Sequence, residues 1–262
     1  MNGVTALVLT FNEAANIDRT LSRLSWADRI VIVDSQSTDE TCAIAGRHPN
    51  VTVFQRPFTT HAEQWNFGLE QTGMTSEWVL ALDADFVLSE GLIREVAALE
   101  PAEGVAGYQA SFIYCIDGRP LRSGVYPPVT VLFRRARARY EQDGHTQRVR
   151  VTGTIAPLAE KIWHDDRKPL GHWLSAQSRY LRLEAEKLSM TPAAELGLSD
   201  RVRRLVVIAP PAMFFYCLVV RGGWLDGRAG LFYALQRATS ELILSLFLLQ
   251  RKLERTPSNG RP

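Results

Sequence analysis

Long hydrophobic runs, paired cysteines and glycine-rich phosphate loops are all missing from this chain of 262 residues. The apolar stretch Leu205–Val220 is 16 residues long and is broken by Pro210-Pro211. That is short of the about 20 residues a spanning helix needs, so an in-plane or shallow re-entrant segment is expected instead. Cys42, Cys115 and Cys217 lie far apart without metal-type spacing. This argues against a disulfide frame and for buried thiols in a reducing compartment. No G-x-G-x-x-G follows the first apolar run, and no G-x-x-x-x-G-K-[ST] occurs anywhere, which removes the main support for dinucleotide and P-loop folds. A nucleotidyltransferase loses its case too, since no glycine-rich basic loop follows that run. The first residues lack a basic region and a long apolar core, so no secretory signal is read and the cytoplasm is expected.

What the chain does have is 46% apolar and 22% charged residues, enough for a real core. Its net charge of +2 is unevenly spread. Residues 1–196 carry 20 Lys+Arg against 24 Asp+Glu, and residues 197–262 carry 10 against 4. A basic tail on an acidic body implies an anionic partner surface.

The N-terminal half alternates strands and helices. Val4–Leu9 is a continuous apolar run closing on Thr10-Phe11-Asn12-Glu13, the pattern of a buried parallel strand. Helical spacing follows over residues 14–24, then a second apolar run over 29–34 ending in Asp34. Ser35-Gln36-Ser37-Thr38-Asp39 is turn and N-cap chemistry. A helix from Thr41, a strand at 51–54, a helix over 61–70 and a strand running to Asp83 complete the pattern. The fold class this predicts is α/β, an open, mostly parallel sheet flanked by helices. Ligands of such sheets sit outside the carboxyl ends of the strands, where Thr10–Glu13, Asp34–Asp39 and Asp83–Asp85 all fall.

Asp83-Ala84-Asp85 is the most informative stretch. Strand alternation would turn Asp83 and Asp85 to one side, where they repel unless a cation sits between them. That points to a divalent metal, and beside strand ends to phosphate. Twelve aspartates in 262 residues give about 0.5 such triplets by chance, so position carries the weight.

Three blocks together, Val8–Ala14, Val33–Thr41 and Leu82–Asp85, resemble family-2 glycosyltransferases of the Rossmann-like GT-A fold in order and spacing. The similarity covers roughly residues 3–190 and is nearest to bacterial lipopolysaccharide-core glucosyltransferases and related inverting enzymes with lipid-anchored acceptors. It implies a nucleotide-diphosphate sugar donor. Asp34 would accept from base or ribose, with Thr10, Phe11, Asn12, Glu13, Ser35 and Ser37 around it. Gln64 and Asn66 stand where such enzymes often carry an Arg-Asn pair against nucleotide or phosphate. Asp83, Ala84 and Asp85 would meet Mg2+ or Mn2+ and the diphosphate, and His164 would be a third protein ligand. An inverting transfer needs a carboxylate to take the acceptor proton. Related enzymes place an acid near residue 147, where this chain has Gln147. Asp143 is the first choice, with Glu141, Asp165 and Asp166 in reserve. Gln147 also leaves open a degenerate, donor-binding scaffold, and transfer onto polyprenyl phosphate shares the same three blocks.

Beyond the expected catalytic domain, residues 1–170, residues 171–255 read as a helical, amphipathic region, with 256–262 as a disordered tail. Arg201, Arg203, Arg204 and Arg221 bracket wide apolar faces. The expected partner is an anionic membrane surface on the cytoplasmic side of the inner membrane, or else a homodimer interface. Nucleic acid is not expected, because aliphatic and aromatic residues dominate the tail.

Overall fold

The computed structural model describes residues 3–143 and 146–255. They fall into two compact units, residues 3–120 with 125–168, and residues 121–124 with 169–255.

The first unit opens with β1 (Val4–Thr10), α1 (Ile17–Ser22), β2 (Arg29–Asp34), α2 (Thr41–Ala45), β3 (Val51–Gln55), α3 (His61–Gln71) and β4 (Trp78–Asp83). Then come β5 (Phe86–Leu88), α4 (Glu90–Ala98), β6 (Val105–Ile116), β7 (Arg119–Pro120), β8 (Val129–Arg134), the hairpin β9 (Ala138–Asp143) and β10 (Thr146–Val151), and β11 (Thr154–His164). The main sheet runs β3-β2-β1-β4-β8-β6-β11-β5, with β7 paired to β6. Its β3-β2-β1-β4 half is parallel, as the apolar runs predict. Beyond β4 it turns mixed: β8 is antiparallel to both neighbours, while β6 and β11 are parallel.

Alternation along β1 sorts the core into two layers. Ala6 and Val8 join Ile17, Leu21, Leu24, Leu92 and Val96 on one face. Leu7 joins Val31, Val33, Val79, Trp65 and Leu69 on the other. There α3 lies so close that a Cβ on Gly68 would come 2.6 Å from Leu7 Cδ1, so a larger residue would have to displace the buried Leu7 side chain. Trp65 stacks on Tyr140 at 5.1 Å, seating the hairpin on the same face.

The second unit holds α5 (Leu170–Met190), α6 (Leu198–Arg203), α7 (Ala209–Phe215) and α8 (Gly227–Arg255). Leu181, Ala185, Leu188, Val206, Leu244 and Leu248 form its core. Pro210 and Pro211 lie in the first turn of α7, where missing N–H groups cost nothing, so they start a helix and do not break one. A π-turn over Tyr216–Val220 follows. The Gly222–Gly230 stretch makes a tight turn over Gly223–Asp226 and already contains the start of α8. A Cβ on Gly230 would lie 1.9 Å from the Gly223 carbonyl oxygen, so the two backbones touch. One Asp226 oxygen accepts from Arg122 N, Ser123 N and Ser123 Oγ, binding residues 122–123 to the same turn. Among the described residues no helix is long and apolar enough to cross a membrane.

Candidate functional site

Strand register brings the three sequence blocks together. Thr10 pairs with Asp34, Leu9 with Asp83, and Asp34 with Gln55, so β1, β2 and β4 end side by side. His164, the last residue of β11, is in register with Phe86 and Tyr114.

The β1 and β2 ends are laced into one surface. Asp34 is fully buried and accepts from Thr10 Oγ1 at 2.8 Å, Ser37 N at 2.8 Å and Ser37 Oγ at 2.5 Å. Burial alone would raise its pKa, but these donors outweigh that and hold the carboxyl below its ordinary value. Asn12 and Gln36 take the left-handed backbone, with φ of 54° and 63°. Asn12 N donates to Ser37 Oγ, and Asn12 Oδ1 accepts from Thr38 N. Asp39 accepts from Thr41 N, Thr41 Oγ1 and Ala14 N, so it ties the start of α2 to the β1 loop. Phe11 stands exposed at this end. Gln64 is buried, donates to Ser35 Oγ at 2.9 Å, and leaves its Oε1 without a partner among the described residues.

Asn66 is placed differently from the expected nucleotide contact. Its amide donates to Tyr140 O and accepts from Tyr140 N, both at 2.9 Å, and so clamps α3 to β9. A two-way amide clamp to backbone leaves it little freedom to read a ligand.

The expectation that strand alternation aligns Asp83 and Asp85 is corrected. β4 ends at Asp83, and Ala84-Asp85 is a two-residue turn leading into β5. The carboxylates nevertheless share one field. Burial and the Asp85 charge push Asp83 up to about 6, against the pull of His164 and Lys168. Burial also opposes ionisation of Asp85, but the His164 charge and hydrogen bond prevail and hold it below its ordinary value. His164 Nε2 lies 3.1 Å from Asp85 Oδ2. Burial would lower the imidazole pKa, yet Asp85 raises it. Phe86, Tyr114 and Tyr126 surround the ring at 5.2, 4.8 and 4.7 Å between centroids, all edge to face, and fix its orientation. Its Nδ1 is buried without a partner among the described residues.

These groups fit a divalent ion. Two ligands of one octahedral Mg2+ with bonds of 2.0–2.1 Å stand about 3 Å apart, close to the observed His164–Asp85 separation. Among the described residues no three His, Cys, Asp or Glu side chains close into a ready-made cage. A partial donor set suits an ion that takes its remaining oxygens from a diphosphate.

Several residues here carried no sequence signal. Lys168 Nζ donates to Glu13 Oε1 at 2.6 Å, and Asn16 Nδ2 bridges Glu13 Oε2 and Asp166 Oδ1 at 2.8 Å each. Burial, with the Asp85 charge, pushes Glu13 up to about 7 although Lys168 opposes it. Lys168 is itself held above its ordinary value, because Glu13 and Asp166 outweigh burial. Asp165 is buried and accepts from Arg19, Arg167 and Gly118 N, which removes it as a free base. Asp166 is engaged by Asn16 and by the Lys168 backbone. Glu141 is exposed and pairs with Arg150 at 3.0 Å. Asp143 pairs with Thr146 through the backbone, and its side chain lies outside the described residues.

In the helical unit, the Arg201–Arg204 run is largely spent internally, not displayed beside the apolar faces. Arg204 caps α5 through the Leu188 and Thr191 carbonyls, and Arg203 pairs with Glu184 at 3.0 Å and Glu241 at 3.2 Å.

Residues 5–159 match the family model described as "Glycosyl transferase family 2". An uncharacterized glycosyltransferase of Rickettsia bellii is 30% identical over 138 residues, 50% of this chain and 46% of that protein, so the match spans about half of that relative's length. The lipopolysaccharide core biosynthesis glycosyltransferase LpsC of Rhizobium meliloti is 25% identical over 264 residues, 95% of this chain and 92% of its own. Among solved structures, a mannosyltransferase from Pyrobaculum calidifontis in complex with GDP-Man and Mn2+ has a TM-score of 0.56 at 16% identity, covering 95% of this chain and 88% of that one. At that identity the likeness shows the fold alone, which is GT-A.

Proposed function

The chain belongs to glycosyl transferase family 2, and we propose that it transfers a hexose, with inversion, from a nucleotide-diphosphate sugar to a glycolipid or lipid-linked saccharide of the cell envelope. The observation that supports this reading is the His164–Asp85 contact just beyond the end of β4, where Asp83 closes the strand beside the laced β1–β2 ends. LpsC supports the acceptor class by its name and near-complete coverage. The Mn2+ and GDP-Man of the mannosyltransferase complex agree with a metal and a nucleotide sugar.

In this reading Thr10, Phe11, Asn12, Glu13, Asp34, Ser35, Ser37 and Gln64 face the nucleotide. Phe11 offers an exposed ring, and the unpartnered Gln64 Oε1 an acceptor. Asp83, Asp85 and His164 hold Mg2+ or Mn2+, which when bound neutralises charge on the departing diphosphate. The aromatic box keeps His164 in one orientation, and Lys168 supplies a fixed cation beside Glu13. Asp143 takes the acceptor proton. Asp165 and Glu141 are already engaged, which supports that choice.

Acceptor lipids would be met at the cytoplasmic membrane face. Val207, Phe215, Val220 and Trp224 are 81%, 60%, 72% and 64% exposed, a cost in water that a leaflet would relieve. A panel of nucleotide sugars scored by melting shift with Mn2+ tests the reading. One donor should raise the midpoint by mass action, and no response to any of them would contradict it.

A further inference from the structure

Helix α8 is apolar on two sides. Its inner stripe, with Tyr233, Ala234, Leu244 and Leu248, is buried in the helical unit. The opposite side of a surface helix is ordinarily polar. Here it carries Leu231, Leu235, Leu242, Leu246, Leu249 and Leu253, each between 41% and 74% exposed. At about 100° per residue, all six fall within about 40° of Leu242 around the helix axis. That is a narrow seam, the width one helix presents to another, and not the broad apolar face of a helix lying in a leaflet.

The seam reads alike in both directions from its centre. Leu231 and Leu253 lie 11 residues either side of Leu242, Leu235 and Leu249 lie 7, and Ala238 and Leu246 lie 4. Such a palindrome fits a second copy of the same helix, running antiparallel about a two-fold axis at Leu242. Leu242 then meets its twin, Leu235 meets Leu249, and Ala238 meets Leu246, small against large. Charge agrees with this direction. Arg228 and Glu254 are both exposed, at opposite ends of α8 and on the same flank of the seam. Antiparallel pairing brings Glu254 level with Gly230 of the other copy, two residues from Arg228, whereas a parallel pair would set Arg228 against Arg228. The area is adequate too. The leucines expose the equivalent of about three whole side chains per copy, so they alone would bury roughly 600 Å2 across two copies. Ala238 and the edges of the seam at Phe232, Arg228 and Gln250 carry the total toward the about 1,000 Å2 that a specific interface should clear.

We propose that the outer face of α8 is a self-association surface that pairs two copies of the chain antiparallel through Leu242. This goes beyond the transfer reading and uses none of its residues. Sedimentation velocity of the full chain, without lipid or detergent, should show a discrete dimer with a dissociation constant of about 10 µM or tighter. Leu242→Glu sets like charges at the axis and should weaken association at least about 100-fold with unchanged far-ultraviolet circular dichroism. Leu246→Gln, a milder change on the same seam, should weaken it by about tenfold. A wild type that stays monomeric, or undiminished association of both variants, would overturn the surface. Oxidative cross-linking against the unsubstituted chain fixes the direction. Leu242→Cys should link to itself, and Leu235→Cys should link only when mixed with Leu249→Cys. Self-linking of Leu235→Cys as efficient as that of Leu242→Cys would mean a parallel pair and overturn the arrangement. A monomeric wild type that floats with phosphatidylcholine vesicles, when Leu242→Glu does not, would mean that a leaflet covers this face and would overturn the second copy as its occupant.

Discussion

His164 Nε2 and Asp85 Oδ2 lie 3.1 Å apart although 79 residues separate them in sequence. The contact joins the end of β11 to the turn after β4, and Phe86, Tyr114 and Tyr126 hold the imidazole in place. Replacing His164 with Asn should therefore weaken Mn2+ binding by about 10- to 100-fold while the far-ultraviolet circular dichroism stays unchanged. Unaltered Mn2+ affinity, measured by titration calorimetry, would remove His164 from the ion's surroundings.

Asp83 gives the metal a pH signature. Its pKa of about 6 lies above the ordinary carboxylate value because burial and Asp85 disfavour the charged form. The folded chain therefore binds this proton more readily than the unfolded chain. In the metal-free protein the stability contributed by protonated Asp83 is complete below the unfolded value of 3.8 and is lost as pH rises through about 6. Metal requires the ionised form, so Mn2+ affinity should fall by up to about tenfold per pH unit below 6. Asp83→Asn should flatten the metal-free stability profile over that window. A metal-free profile equally steep in the variant would contradict the assignment.

Asn66→Ala should leave the Tyr140 N–H and carbonyl without their partner and cost about 1–3 kcal/mol in urea unfolding. Below its melting range the variant should keep the wild-type KM for donor. A raised KM at full stability would instead show Asn66 touching the nucleotide.

Gly230→Ala tests the backbone contact in the helical unit. A methyl 1.9 Å from the Gly223 carbonyl oxygen cannot be absorbed by a side-chain shift. The expected loss is about 3 kcal/mol or more, read from the melting midpoint. A neutral substitution would mean that the 223–230 turn is loose.

The parallel half of the sheet was legible because each strand, buried on both faces, is a continuous apolar run that stops at a polar strand end. The β9–β10 hairpin was not, since Arg139, Glu141, Arg148 and Arg150 hide any apolar run. That Thr10, Asp34 and Asp83 close their strands, with Asp85 just beyond, could be read from position alone. Asn16, Arg19 and Lys168 could not, because their roles come from contacts across 146 to 155 residues, which no local pattern encodes. The Asn66 clamp was hidden for a related reason: the resemblance suggested a ligand contact, and only the fold reveals the β9 backbone beside it.

The most direct test of the central claim is sugar transfer from a labelled donor to isolated envelope lipids by purified protein, with Mn2+, comparing wild type with Asp85→Asn. The account predicts a labelled lipid product from wild type that chelator abolishes, and at least a 100-fold lower rate from a folded Asp85→Asn, about 2.7 kcal/mol of transition-state stabilisation. Undiminished transfer by Asp85→Asn, or by wild type in chelator, would contradict it.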